Sequence, residues 1–514
     1  MIAGGRKQMN FRDKIKKPAE LAVILRVARN NGKRVIHCHG AFDLLHRGHV
    51  HQFEQARKLG DILVVSITAD SFITTAKGPG RPVFNQNIRA EMLAVLGLVD
   101  YVTICNAPTA VNLIGLLRPN FFVKGASVGR GADFSGGLER QAVEKIGGKM
   151  HFTQEMEIHA TPLLNAYIDP YPDHVLKFLE DFRRKYRPSG AIKFIDQLSK
   201  LKVLVLGEAV IDQYDYVEQL DKSPKGGVIA SRYLQSEFYA GGSLACANHI
   251  ANFCSKVKLV TCLGAVDSRE SFIKKSLASN IQPAFLLRKN ARTIIKRREV
   301  SRAYYQKHSE TYFLDDIPLN DKEERELIKR MADIKDYDVV LVLDYGHGLI
   351  TERIIDYLIK NVRFLAVSTQ TNSANKGFHV ITRYPPRIHY PCIDHYEARL
   401  ALQDSRSPIE ILAPKLKKMT GASTIAITLG AHGSLMLNDK ETHIAPVFSK
   451  KIVDTVGAGD AYFSVTALAV SAGLPLDFTN FLGGVAGALA TTYPGNEKSI
   501  NKSMLLGFIS SLLS

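Results

Sequence analysis

Seven residues near the C-terminal end constrain this chain most: Asp454-Thr455-Val456-Gly457-Ala458-Gly459-Asp460. Two carboxylates flank a run of small residues. The largely apolar stretch that follows, Ala461–Val470, reads as a buried helix. Gly457, Ala458 and Gly459 then fall at a helix N-terminus, where backbone N–H groups lack intrahelical partners and the dipole favours negative charge. A phosphate in transfer suits such an end. Asp460, one residue further in, is placed to take a proton from an attacking hydroxyl.

The heptad and its helix resemble the C-terminal motif of the ribokinase-like (PfkB) sugar kinases. In that family the acid at the Asp460 position is the catalytic base and the small residues Gly457, Ala458 and Gly459 form the anion hole. The resemblance implies ATP as phosphoryl donor and Mg2+ beside it. Other stretches follow the family's order. Lys202–Glu208 reads as a buried strand ending in glycine. Asp212, soon after it, corresponds to the acid that binds sugar hydroxyls. Gly241-Gly242-Ser243-Leu244-Ala245-Cys246-Ala247-Asn248 resembles the substrate motif, which implies that Gly241 and Gly242 pack on the sugar and Asn248 hydrogen-bonds nearby. Period-two stretches at 227–239 and 293–312 predict strands. In the family such strands make a small β lid over the sugar and often a homodimer interface. Lys296 and Arg298, alternate residues there, are read as contacts to a substrate phosphate. Asp344 ends the strand over 338–343 and is expected in the crevice. Asp394-His395-Tyr396-Glu397 lines up with the family's N-x-x-E motif, tied to magnesium and phosphate, with Asp394 in place of Asn and Glu397 kept. Thr424–Thr428 with Gly430 and Gly433 resembles the nucleotide-binding loop, with Thr428, Gly430 and Gly433 as its contacts.

The N-terminal half has a different rhythm. A helix over 18–31 precedes a strand at 34–38, a glycine-led loop, a helix to Leu59 and a buried strand at 61–68. Strand–loop–helix–strand argues for a parallel sheet with ligand at the carboxyl ends of its strands. His46 and His49 lie one turn apart across Gly48 at a helix start, so both imidazoles can face one phosphate chain. Gly40-Ala41-Phe42-Asp43-Leu44-Leu45-His46-Arg47-Gly48-His49 resembles the cytidylyltransferase-like nucleotidyltransferases, whose histidine pair binds a nucleoside triphosphate and stabilises the transition state. The resemblance continues through Lys77, Arg81, Arg89 and Lys124. It implies nucleotide contacts by Gly40, Phe42, Arg81, Arg89 and Lys124, with Lys77 helping His46 and His49 neutralise the phosphates. The family's last motif, a hydroxyl-rich helix start, corresponds to 158–165, where Thr161 is the hydroxyl retained. His37 and His39 share one face of a strand and read as structural or supporting groups, since neither cysteine nor carboxylate completes a zinc set.

Together the two halves resemble the bifunctional heptose 7-phosphate kinase/heptose 1-phosphate adenylyltransferases, in which the kinase comes first; here the transferase does. The expected architecture is α/β. A tail and helix occupy 1–32, a Rossmann-like nucleotidyltransferase domain 33–165, a helical linker 166–200, and a ribokinase-like domain with a small β lid 201–514. ATP or CTP is the expected nucleotidyl donor and a sugar phosphate the partner substrate. Two alternatives stay open: a sugar kinase whose N-terminal domain only binds nucleotide, and a nucleotide-binding regulator without turnover.

Composition sets bounds. The 514 residues leave room for several domains, and 46% hydrophobic with 23% charged residues is ordinary for a globular protein. The net charge of +17 fits phosphorylated substrates. Its lysines and arginines are scattered and form no block interleaved with aromatics, so a nucleic-acid partner is not expected. No apolar run reaches the length of a membrane span, and no secretory leader is expected. The six cysteines show no C-x-x-C spacing and read as free thiols in a cytoplasmic protein.

Overall fold

The computed structural model of the chain describes residues 10–77, 81–125, 134–153, 171–224, 226–302, 305–450 and 452–513, without the side chains of 75–77 and 134–136. Two compact units result. One holds the residues up to Pro172, with 187–189 and 510–514. The other holds Asp173–Tyr186 and Gly190–Ile509.

The N-terminal unit is built on β1 (Val35–Gly40), β2 (Ile62–Thr68), β3 (Tyr101–Cys105), β4 (Phe121–Lys124) and β5 (Lys149–Phe152). All pair in parallel, in the order β3-β2-β1-β4-β5. Runs such as Ile-Leu-Val-Val-Ser-Ile in β2 are buried on both faces, as a helix-covered parallel sheet requires. The first helix, Pro18–Asn30, opens on a proline whose missing N–H costs nothing at that position. Strand order reverses between β1 and β4. Their carboxyl ends, Gly40 and Lys124, flank the crevice where sheets of this kind take ligands.

The C-terminal unit contains, in chain order, β6 (Lys202–Gly207), β7 (Ala209–Lys222), β8 (Ile229–Gly242), β9 (Lys256–Gly264), β10 (Ile281–Arg288), β11 (Ile294–Ser301), β12 (Lys307–Phe313), β13 (Val339–Asp344), β14 (Leu365–Thr369), β15 (Tyr390–Asp394), β16 (Thr424–Thr428), β17 (Ser434–Asn438) and β18 (Thr442–Ala445). Nine of these strands make one sheet, ordered β10-β9-β6-β13-β14-β15-β16-β17-β18 and parallel as far as β16. The other four form the lid, β12-β11-β7-β8. Chain order again reverses beside β6 and β13, and the carboxyl ends of those strands open toward the lid.

The helices Asp173–Lys185 and Pro188–Leu198 fall where a linker is expected, yet their apolar faces are committed to the C-terminal unit. Phe182 packs on Phe481 at a ring separation of 4.3 Å, Phe194 on Phe478 at 4.9 Å, and Tyr186 donates to Asp477 at 2.6 Å. Pro188 begins the second of these helices, because proline's fixed φ suits a first helical turn.

Candidate functional site

In the C-terminal unit the lid and the carboxyl ends of the large sheet enclose a cavity of about 240 Å³. Its lining includes Asp212, Gly242, Lys296, Arg298, Asp394, Glu397, Thr428, Gly457, Gly459 and Asp460. Residues spread over nearly 250 positions of sequence thus meet at one place.

The heptad forms one wall. Gly457 caps the helix Ala458–Ser471 at φ +85°, offering no side-chain cap of its own. The left-handed φ demands glycine, and a Cβ there would also have to move the Asn496 side-chain amide, whose Oδ1 would lie 2.3 Å away. Ala458 N bonds Thr455 O at 3.3 Å, and Ala458 does not line the cavity, which leaves the two glycines beside it. Asp460 accepts a 3.0 Å hydrogen bond from the Tyr345 hydroxyl. Burial raises its pKa to about 7; the Tyr345 bond opposes that rise. A base poised there suits proton abstraction at neutral pH.

Asp454, at the head of the heptad, ties loop to lid. Its carboxylate accepts from the Tyr214 hydroxyl at 2.6 Å and Gly495 N at 2.9 Å, and from Val456 N at 3.1 Å. It also pairs with Lys307, the first residue of β12. Burial alone would raise its pKa, but these donors hold it below the usual value.

The lid presents Asp212 and Lys296 side by side in register. Asp212 takes a 2.5 Å bond from Arg298, whose other nitrogen reaches Glu310 at 2.6 Å. Arg298 lines the cavity with its charge already answered. Lys296 is buried, its ammonium over the rings of Tyr312 and Tyr345 at 5.2 and 5.6 Å, and burial lowers its pKa. It is the lid cation with the more unmet charge.

Asp394 and Glu397 form a capping box at the start of the helix His395–Leu402. Glu397 also accepts from Thr371 N at 2.8 Å, and burial lifts its pKa to about 8. Two carboxylates on a cavity wall fit a magnesium ion that keeps most of its waters and leans on substrate phosphates. No set of three acidic, histidine or cysteine ligands occurs among the described residues. The nucleotide-loop contacts divide: Thr428 lines the cavity, whereas Gly430 and Gly433 bracket the short turn after it.

Three more expectations for this unit need correction. Asp344 does not reach the cavity. It is 1% exposed, held by Arg383 at 2.7 Å, Tyr384 at 3.0 Å and Gly346 N at 3.1 Å, so it anchors the strand end. Asn248 bonds Ser276 O and Ala278 N, both at 2.9 Å, and ties its helix to a neighbouring loop. Gly241 lies behind Asp212, where a Cβ would meet the carboxylate at 2.1 Å; it sets the acid's position rather than touching the cavity. Sequence reading missed the functional company of Asp460, namely Tyr345 and the Lys307–Asp454–Tyr214 tie. Tyr345 follows a strand-end acid, and that adjacency was its signal; Lys307 carried none.

In the N-terminal unit His46 and His49 lie together at a helix start. His46 caps the helix Arg47–Arg57, its Nδ1 accepting from Gly48 N at 3.1 Å. The His46 and His49 rings lie 3.8 Å apart, 30° from parallel. Phe42 braces them, its ring 5.1 Å from that of His49 and packed beside Gly40. Asp43 accepts from Val83 N and Phe84 N at 3.0 and 3.1 Å and lies 3.8 Å from Arg81, pinning the following loop. Arg89 departs from expectation. Wholly buried, it donates to the carbonyls of Ala41, Phe84 and Thr68 and to Asp70, so it braces loops rather than facing ligand. Lys124 stands at the crevice but is paired with buried Glu139. Lys77 ends the helix Asp70–Lys77 with its side chain outside the described atoms, and Thr161 lies outside the described residues.

Residues 200–503 match the family described as pfkB family carbohydrate kinase. The chain belongs to that family. The pfkB segment is preceded by residues 37–169, which match the cytidylyltransferase-like family. Proteins named bifunctional protein HldE are similar over the N-terminal region: 34% identity over 166 residues in Syntrophotalea carbinolica and 38% over 159 in Geobacter sulfurreducens. These matches cover 32% and 30% of this chain, and the chain spans about a third of each relative's length, 33% and 32%. Among solved structures, a ribokinase from Thermotoga maritima is 19% identical with TM-score 0.49, covering 60% of this chain and 99% of its own. Phosphofructokinase-2 from Escherichia coli with fructose-6-phosphate is 17% identical with TM-score 0.48, covering 60% and 98%. No helix among the described residues is long and apolar enough to cross a membrane.

Proposed function

We propose that this protein phosphorylates a sugar phosphate at its C-terminal site and couples a sugar 1-phosphate to a nucleotide at its N-terminal site, making a nucleotide-activated, heptose-like sugar for surface polysaccharide. The observation that carries the kinase reading is Asp460, half-buried in the cavity wall beside an uncapped helix N-terminus, with a pKa raised to about 7. Asp212 and Lys296 hold the sugar phosphate. Asp460 takes the proton of a sugar hydroxyl as that oxygen attacks the γ-phosphate of ATP in line. The amides at Gly457 and Gly459 receive the developing charge, with Thr428 and the Gly430–Gly433 turn beside the nucleotide. Asp394 and Glu397 would hold Mg2+, which supplies neutralisation of the phosphates when bound. At the N-terminal site His46 and His49, with Lys77 and Arg81, steady the triphosphate of ATP or CTP while a sugar phosphate displaces pyrophosphate. Catalysis there is positioning without a covalent intermediate. The lid supports a homodimer reading through the exposed apolar residues of its β7–β8 hairpin, Val228, Ile229 and Tyr233. Nucleotide substrates and six free cysteines are in keeping with the cytoplasm.

The second reading keeps the kinase and makes the N-terminal unit a nucleotide-binding module. It is favoured by Lys124 being paired with Glu139 and Arg89 being consumed in loop bracing. One experiment separates the readings. Purified protein is offered ATP and CTP, each against a panel of sugar 1-phosphates including heptose, and pyrophosphate is measured beside sugar-dependent ADP formation. Both products support the bifunctional reading; ADP without pyrophosphate supports the second. His46→Ala/His49→Ala should end pyrophosphate release and spare ADP formation, and an unchanged pyrophosphate signal would sink the N-terminal mechanism.

A further inference from the structure

Four polar side chains in the N-terminal sheet form a hydrogen-bonded file that none of the roles above uses. His37 and His39 share one face of β1, with Ser66 opposite His39 on β2. The Ser66 hydroxyl lies 2.7 Å from His37 Nε2 and 2.8 Å from His39 Nδ1. Thr68 Oγ1 lies 3.3 Å from His39 Nε2. His37 is wholly buried, its ring at right angles to that of Phe122. Thr68 is the last residue of β2, at the carboxyl edge of the sheet. His39 directly precedes Gly40 and feels the charge of Lys124 at the end of β4, which places the outer end of the file at the crevice.

Burial keeps both imidazoles neutral, so each carries one N–H, as each hydroxyl carries one O–H. Two arrangements satisfy the three links. In the inward one, Thr68 donates to His39, His39 to Ser66, and Ser66 to His37. The His37 proton then sits on Nδ1, a buried donor with no acceptor among the described residues. In the outward one every bond reverses, and His37 Nδ1 is only an unfilled lone pair. Buried N–H groups without an acceptor are the rarer defect in folded proteins, so the outward file prevails. His37 Nε2–H donates to Ser66, Ser66 to His39 Nδ1, and His39 Nε2–H to Thr68. The Thr68 proton is left at the crevice.

We propose that Thr68 is a ligand-binding residue of the N-terminal site, its hydroxyl set as a donor to an oxygen of a bound phosphate group. His39 and Ser66 are the positioning residues that set it. The inference rests on the nucleotidyltransferase reading, and the oxygen belongs either to the nucleoside triphosphate or to the sugar 1-phosphate.

The test uses the full chain with ¹⁵N-labelled histidine, together with calorimetric titration of ATP, CTP and heptose 1-phosphate. The ring ¹⁵N shifts are expected to place the proton on Nε2 of both His37 and His39; a proton on Nδ1 of His39 overturns the proposal. Thr68→Val should weaken the ligand that supplies the oxygen about 10-fold and leave the others unchanged, a loss typical of one hydrogen bond to a charged group. Ser66→Ala, which keeps Thr68 but removes the partner of His39 Nδ1, should leave the His39 proton on Nε2 and weaken the same ligand less. Loss confined to ATP or CTP assigns the oxygen to the nucleotide, and loss confined to heptose 1-phosphate assigns it to the sugar. Thr68→Val binding all three like the unaltered protein overturns the proposal. Weakened binding in a protein that releases no pyrophosphate overturns the transferase reading and leaves this one standing.

Discussion

Asp460 carries the sharpest prediction at the scale of single residues. A carboxylate must be ionised to act as a base, and burial raises this one to about 7. Kinase kcat should therefore rise as pH increases through about 7 and fall away on the acid side, as read from a pH–rate profile. Asp460→Asn should lower kcat at least about 100-fold while ATP binding persists, the size expected for loss of a positioned base. Wild-type turnover in that variant would remove the base assignment. The place of Asp460 at a helix start on the cavity wall could be read from the sequence because the motif is local, seven consecutive residues and one helix. Asp344 misled for an equally physical reason. A strand-end acid can turn into the crevice or back into the protein, and the partners that turned it back, Arg383 and Tyr384, lie some 40 positions away.

At the scale of elements, the heptad loop and the lid are joined through Asp454, Lys307 and Tyr214. Lys307→Met leaves a buried carboxylate short of a partner and frees the start of β12. Its expected outcome is a kcat loss on the order of 10- to 100-fold in the kinase assay, since small displacements of positioned groups carry such penalties. The two helices over 173–198 make the second prediction. Phe182→Ala opens a hole against Phe481, and should lower the unfolding free energy of the C-terminal unit by about 3–5 kcal/mol in denaturant titration. The alternating strand and helix pattern could be read from periodicity. What those helices pack on could not, because an amphipathic stripe says that a face is buried without saying against what.

Across the whole molecule, acid sensitivity should differ between the units. His37 is buried and His39 half-buried, and desolvation lowers both pKa values to about 3, so both are neutral. Below their unfolded value of about 6.5 the unfolded chain binds protons that the folded unit refuses. Stability of the N-terminal unit is thus lost as pH falls from about 6.5 toward 3, by up to about 1.4 kcal/mol per pH unit for each histidine. In the C-terminal unit His249, lowered to about 4, and His347 and His389, also lowered, act in the same sense, but Glu208 and Asp460 near 7 and Glu397 near 8 work against them, holding protons that the unfolded chain releases. Calorimetric scans between pH 7 and 5 should show the N-terminal transition moving down while the C-terminal one holds. Parallel movement of both would contradict this.

The meeting of Gly457 and Asn496 has a historical consequence. The space a methyl group would need at 457 is already filled by the amide of 496. Drift at these two positions therefore has an order. Residue 496 must shorten or swing its amide aside before 457 can acquire a side chain, and the left-handed backbone would still resist the change. A lineage can forget the asparagine and keep the glycine at little cost, whereas the reverse order disturbs both positions at once.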